Sequence, residues 1–209
     1  MSLFITFEGV EGAGKSSHAR GLAALLRTRG HTVVETREPG GTPAGKALRG
    51  LLLGADATPL TPVAELFLYC ADRAQHVAEV IMPALGEGTI VVCDRFSDST
   101  IAYQGYGRGL DLTLVRSLDT HARAGLVPGL TFLLDCPVEL GLARARSRAE
   151  PEDRFEKEGV AFHDRIRRGF HALAAEAPER VVVLDTTADL VAIQDRITHE
   201  TLRRLGGGS

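Results

Sequence analysis

No tryptophan and no asparagine occur in the chain, and lysine and cysteine appear only three times each. Without asparagine, the NKxD element by which switch GTPases read guanine cannot be present in that form. Cys70, Cys93 and Cys136 stand far apart, form no CxxC and have no zinc-ligand spacing. That excludes a disulfide framework and a zinc ribbon, and predicts reduced, buried thiols. Basic residues number 24 against 27 acidic ones, a net charge of −3, whereas a nucleic-acid-coating protein is strongly basic. No apolar run approaches the roughly 18 residues of a membrane span. No Lys or Arg precedes Lys15, so the charged start of a secretory signal is missing. These absences predict a cytoplasmic protein with neither a membrane nor a nucleic acid as partner.

What is present fits one α/β domain. The 209 residues are 44% apolar and 24% charged, ordinary for a globular chain of single-domain length. Short apolar runs at 3–7, 32–35, 89–93, 130–135 and 180–184 have strand length and composition. The near-continuous apolar runs at 90–93 and 181–184 predict strands covered on both faces. Between them, helical spacing marks Leu22, Leu25 and Leu26, then 64–85, 111–124, 137–148, 160–175 and 189–205. Strands alternating with helices predict a five-stranded parallel sheet with helices on both faces. The domain is expected over 1–205, with a charged mobile lid at about 144–156 and a flexible tail at 206–209.

The segment at 9–16, GVEGAGKS, has the spacing GxxxxGK[ST] between a strand and a helix. Such a loop turns its backbone N–H groups inward around a polyphosphate, and the following helix points its positive end at the same anion. Gly9, Val10, Glu11, Gly12, Ala13, Gly14 and Ser17 supply the wrap. Lys15 supplies charge to the β and γ phosphates, and the Ser16 hydroxyl can ligate Mg²⁺. The motif establishes nucleoside triphosphate binding without choosing between kinase, GTPase and motor.

Other polar residues suggest an acceptor. Asp94, at the end of the third strand, can hold Mg²⁺ directly or through water. Arg95 beside it could grip a second phosphate, although a strand-end ion pair would look the same. If 97–105 is helical, Ser99 shares a face with Tyr103, and Thr100 with Gln104. Tyr69 and Arg73, also four apart, could stack on a base and read its edge, or could be a core tyrosine beside a surface arginine. Arg37, followed by Glu38 and Pro39, lies at a strand's carboxyl end, where open α/β sheets bind ligands. In the lid, a helix would put Arg144 and Arg148 on one face and Arg146 nearly opposite. Acids interspersed among these arginines, with Phe155 the single aromatic, argue against RNA.

Taken together, these blocks resemble the bacterial thymidylate kinases. The resemblance is carried by EGVEGAGKSS at 8–17, TREPGGTPAG at 36–45, ADRAQH at 71–76, CDRFSDSTIAYQGYGRGLD at 93–111, and GLARARSR with DRFE up to 156. They come in family order and span about three-quarters of the chain. The resemblance implies transfer of the ATP γ-phosphoryl to dTMP with Mg²⁺, in dTTP biosynthesis, by a homodimer. Helical spacing favours Arg148 over Arg146 and Arg154 as the lid arginine, so Lys15, Arg95 and Arg148 are expected to share the transferred charge, with Arg144 at the ATP end. The resemblance puts Arg37, Arg95 and Ser99 around the acceptor phosphate, and Glu11 toward the 3′-hydroxyl or a Mg²⁺ water. Tyr69 is implied to stack on thymine, Arg73 to donate to its O4, Thr100 and Gln104 to meet the base edge, and Tyr103 to lie under the deoxyribose. Tyr69 and Ser17 stand where the family more often has Phe and Thr. With no Arg or Lys at Val10, Glu11 or Ala13, the loop resembles the subtype whose catalytic arginine comes from the lid.

Overall fold

The computed structural model describes residues 2–54, 59–147, 154–187 and 189–206. In chain order they form β1 (Phe4–Glu8), α1 (Lys15–Thr28), β2 (Val33–Arg37), α2 (Pro43–Leu53) and α3 (Pro62–His76). A π-helical turn (Val77–Ile81), α4 (Met82–Gly86), β3 (Ile90–Asp94), α5 (Ser97–Thr100) and a second π-helical segment (Ile101–Gly107) follow. The chain continues with α6 (Leu112–Ala122), β4 (Leu130–Asp135), α7 (Val138–Arg146), α8 (Val160–Glu176), β5 (Val181–Asp185) and α9 (Leu190–Gly206).

The strands pair in parallel, in the order β2-β3-β1-β4-β5. Side chains alternate across the sheet with period two. Ile5, Phe7, Ile90 and Val92 join Leu22 and Leu26 of α1 in the larger apolar cluster, and Phe4, Val91 and Cys93 join Ile81 and Phe96 in a smaller one. β1 leads to β2 on one side of the sheet, and the chain later reaches β4 on the other side. The carboxyl ends of β1 and β3 therefore border the crevice where open α/β sheets bind ligands.

The expectation for 64–85 holds as one helical stretch, but it is not regular. The amide of Met82 bonds the Val77 carbonyl five residues back. Pro83 supplies no N–H and its ring needs room against the preceding turn, which the wider turn provides. Helix α2 was invisible to apolar periodicity because Gly45 and Leu52 are its only buried residues. Its start is nonetheless marked by Thr42, whose Oγ1 accepts from the Gly45 amide at 2.9 Å, and by Pro43 at the first helical position.

Three expectations need correction. β5 is an edge strand, and Val183 is 40% exposed, so its apolar run does not mean cover on both faces. Cys93 and Cys136 are buried free thiols, but Cys70 is only partly buried. Helix α7 ends at Arg146, with the Ser147 hydroxyl donating to the Arg144 carbonyl at 2.9 Å. The helix thus stops short of the expected 148, and Arg148, expected to share a face with Arg144, lies outside the described residues. Residues 148–153 of the expected lid and 207–209 of the expected tail also lie outside the described residues, whereas Gly206 is the last residue of α9.

Candidate active site

The phosphate loop joins β1 to α1 and packs against the backbone of α7. Gly12 has φ 68°, and a Cβ there would overlap the Gly141 carbonyl. Gly14 has φ 94° and caps α1, so the loop enters the helix through a left-handed residue. Lys15, the first residue of α1, is 7% exposed and donates to the Val10 carbonyl at 2.7 Å. Burial, then the charge of Arg95, pushes its ammonium down to about 8, against the pull of Glu11, Asp94 and Glu8. The Ser16 hydroxyl donates to Asp94 Oδ2 at the end of β3. Asp94 Oδ1 is buried and accepts no hydrogen bond among the described residues. An oxygen set with one buried acceptor unfilled fits a hard divalent cation.

Arg95 turns the chain after β3 with φ 68°, a left-handed conformation uncommon for a side-chain-bearing residue. It donates through Nη1 to the Gly9 carbonyl at 3.0 Å and Ser99 Oγ at 3.2 Å, and through Nη2 to Glu11 Oε1 at 2.7 Å. Its guanidinium lies 5.0 Å from the centroid of the Tyr103 ring, whose hydroxyl also donates to Glu11 Oε1, at 2.6 Å. Burial would raise the Glu11 carboxyl. The charges of Arg95 and Lys15 and the tyrosine bond hold it down to about 2. Below this group, Glu8 accepts from the Phe96 amide at 2.8 Å and Ser99 Oγ at 2.5 Å. Burial and the charge of Asp98 push Glu8 up to about 8.

Arg73 is 1% exposed and held by the loop after β2, by α5 and by α6. Its Nε and Nη2 meet Glu38 Oε2 at 2.9 and 2.8 Å, and its Nη1 donates to Thr100 Oγ1 and Asp119 Oδ1 at 2.8 Å each. Glu38 also holds His76 Nδ1 at 2.9 Å. Gln104 Nε2 donates to Glu65 Oε1 at 2.7 Å. Tyr69 is half-buried, 6.5 Å centroid to centroid from Phe155, which also packs edge-on against Tyr103 at 5.3 Å.

Many of these groups line one cavity of about 920 Å³, near the upper end of the range for ligand pockets, while Glu8, Glu65, His76 and Asp119 lie behind its lining residues. Glu11, Gly12, Lys15, Ser16, Ser17 and Arg144 border one part. Arg37, Glu38, Pro39, Tyr69, Arg73, Arg95, Ser99, Thr100, Tyr103 and Gln104 border the rest. Arg37 is exposed at the end of β2, in register with Asp94. Arg144 donates to the Thr186 carbonyl at 3.1 Å. Most of the candidate residues scattered through the sequence border this cavity; Gly9, Val10 and Ala13 do not, the side chains of Val10 and Ala13 being buried in the larger apolar cluster, and Arg148 lies outside the described residues. Arg154 is committed to Glu65, at 2.5 Å.

The sequence reading missed Glu8, Glu65 and Asp119, the carboxylates that hold the site together. One signal was available. Asp119 lies one turn after buried Val115 on α6, an acid at a core position, which requires a partner.

The thymidylate kinase family model matches residues 7–197. The chain belongs to the thymidylate kinase family. It is 52% identical over 208 residues to a thymidylate kinase of Trichlorobacter lovleyi, covering 97% of this chain and 98% of that one. It is 53% identical to one of Desulfovibrio desulfuricans, covering 99% of each. The crystal structure of a thymidylate kinase from Ehrlichia chaffeensis superposes with a TM-score of 0.78 at 34% identity, over 96% of this chain and 98% of that chain. The family accounts for the all-parallel five-stranded sheet and for a phosphate loop sharing its cavity with a second, arginine-lined region.

Proposed function

We propose that the chain transfers the γ-phosphoryl of ATP, taken as its Mg²⁺ complex, to the 5′-phosphate of dTMP, giving dTDP and ADP. The observation that carries this reading is the single cavity. One part is bordered by the phosphate loop, the other by Arg37, Arg95, Ser99, Tyr69 and Arg73. An arginine-lined acceptor region suits a nucleotide that already carries a phosphate better than a bare nucleoside.

On this reading the amides of 9–17, with Lys15 and Arg144, take the ATP phosphates. Lys15 Nζ exchanges the Val10 carbonyl for a phosphate oxygen. Ser16 and Asp94 would hold Mg²⁺, which would supply neutralising charge to the ATP phosphates. Arg95 and Arg37, with Ser99, orient the acceptor phosphate. Tyr69 stacks on the base, Arg73 meets O4, Thr100 and Gln104 meet the neighbouring edge, and Tyr103 lies under the deoxyribose. Glu11 faces the 3′-hydroxyl, and Glu38 and Pro39 border the same region. The acceptor phosphate is already ionised, so no general base is needed, and catalysis is positioning plus charge neutralisation. Arg148 remains the expected source of the lid charge.

The working form is a homodimer. Val63 and Phe67 lie one turn apart on α3 and are 40% and 54% exposed. Leu51 of α2 and Leu114 of α6, on helices packed against α3, are 57% and 43% exposed. Exposed apolar side chains on three helices that pack side by side suit a second copy of the same surface.

The test is ADP release from Mg·ATP with dTMP, dUMP, dCMP, AMP, UMP and thymidine as acceptors. Strong stimulation by dTMP, weak by dUMP and none by the others is expected. Discrimination against dUMP rests on one methyl, worth about 1–3 kcal/mol. Stimulation by thymidine or AMP in place of dTMP would overturn the reading.

A further inference from the structure

Glu65 has no part in the reaction as described, yet it is among the most heavily bonded side chains in the molecule. It lies in the first turn of α3 and is 1% exposed. Oε1 accepts from Gln104 Nε2 at 2.7 Å and Arg108 Nε at 3.3 Å. Oε2 accepts from Arg108 Nη2 at 3.2 Å and Arg154 Nη2 at 2.5 Å. Arg108 and Arg154 each lie 5.3 Å from the Phe155 ring centroid, so the carboxylate sits under an aromatic and cationic roof.

A carboxylate accepts only, whereas a glutamine amide has a donating end and an accepting end. Glu65 therefore dictates which way Gln104 points. Reversing the amide would bring its oxygen against a carboxylate oxygen and strand a buried acceptor. With Nε2 on Glu65, the amide oxygen is left for the cavity that Gln104 lines. Arg73 presents the opposite polarity to the same cavity. Glu38, Thr100 and Asp119 occupy its Nε and Nη1, leaving Nη2 an N–H beyond its contact with Glu38.

We infer that Glu65 is a specificity residue acting through Gln104. It fixes the amide as an acceptor beside the donor Arg73, so that the pocket takes a base presenting N–H next to C=O and refuses one with that polarity reversed. The inference rests on the reading of dTMP as acceptor and says how that base is told from cytosine. Thymine offers N3–H beside O4. Cytosine offers a bare N3 beside an amino group. A site whose buried polar groups are matched to one such pattern rejects the other by roughly 10⁴ or more.

The test is Glu65→Gln, assayed with dTMP and dCMP. The amide this substitution introduces can donate or accept, which frees Gln104 to adopt either orientation. The dTMP-to-dCMP ratio of kcat/KM is expected to fall at least about tenfold, chiefly through the KM for dTMP, with kcat within about threefold. The exchange Glu65→Gln with Gln104→Glu leaves only acceptors at 104 facing the cavity and is expected to recover most of the ratio. A purely structural role would lower both substrates together, leave the ratio unchanged and gain nothing from the exchange, which would overturn the inference. Should the single variant not fold, the wild-type protein still decides. With ¹⁵N-glutamine, three side-chain amides are visible. In the nucleotide-free protein one Gln104 amide proton should stay protected from exchange by its bond to Glu65, unlike those of exposed Gln75. Equally fast exchange at both would contradict the assignment. Wild-type protein without dTMP-dependent ADP release would overturn the substrate reading itself, whereas normal dTMP turnover with an unmoved ratio would overturn this inference alone.

Discussion

Single residues in the site are held by partners far away in sequence. Arg95 binds groups 84 and 86 positions back, and Phe96 bonds Glu8 across 88. Lys15 and its loop were legible because their chemistry is local and set by spacing. Glu8, Glu65 and Asp119 were not, since an acid in a helix or strand says nothing of a guanidinium or amide arriving from elsewhere. Arg95, held in a left-handed conformation between the loop and Tyr103, is expected to matter most. Arg95→Ala should lower kcat by roughly 10³. Arg146→Ala, at the exposed end of α7, should stay within about threefold of wild type. Steady-state kinetics on the two variants measure this, and equal losses would show that the site is misplaced.

Glu8 also gives the pH dependence a sign. Its folded value of about 8 lies above the ordinary 4.5, so between these limits the folded chain keeps a proton that the unfolded chain releases. The stability it contributes is complete below 4.5 and is lost as pH rises through 8, at up to about 1.4 kcal/mol per pH unit. Asp72, pushed up to about 6 by burial and Glu38, acts in the same direction over a lower window. Glu11 acts oppositely, its contribution being lost only as pH falls from 4.5 through 2. The melting temperature of the nucleotide-free protein should therefore decline from about pH 5 to about pH 8, and Glu8→Gln should flatten that decline. A wild-type profile rising across this window would contradict the burial-driven shift.

Among the elements, strand positions were readable to within a residue or two, because apolar runs between turn signals are a local property. Whether a strand lies inside the sheet or at its edge is not local, and the run at 181–184 was misread for that reason. The π-helical Ile101–Gly107 segment still delivers the pairs read from helical spacing. Ser99 and Tyr103 both meet Arg95, while Thr100 and Gln104 reach Arg73 and Glu65 on α3. The contact between the phosphate loop and α7 makes a prediction that helix propensity alone gets wrong. Gly141 lies inside α7, where Ala is normally favoured by about 1 kcal/mol. A Cβ at 141 would overlap the Glu11 carbonyl. Gly141→Ala should therefore destabilise by about 1–3 kcal/mol and raise the KM for ATP. A higher melting temperature with unchanged KM would show that the loop is not braced by α7.

For the whole molecule, the exposed apolar side chains on α2, α3 and α6 predict self-association. Phe67→Glu should convert a dimer to a monomer in sedimentation velocity while leaving the far-UV spectrum intact; a monomeric wild-type protein would refute this face as an interface. The cavity joins the phosphate loop to the arginine-lined region, so on the proposed reading phosphoryl passes directly from one nucleotide to the other. The most direct measurement is a single turnover of γ-labelled ATP with Mg²⁺, with and without dTMP. Label is expected in the β-phosphate of dTDP when dTMP is present, and almost no free phosphate is expected when it is absent. Label appearing as inorganic phosphate at the same rate in both cases would contradict that reading, and would make the molecule a hydrolysing nucleotide switch.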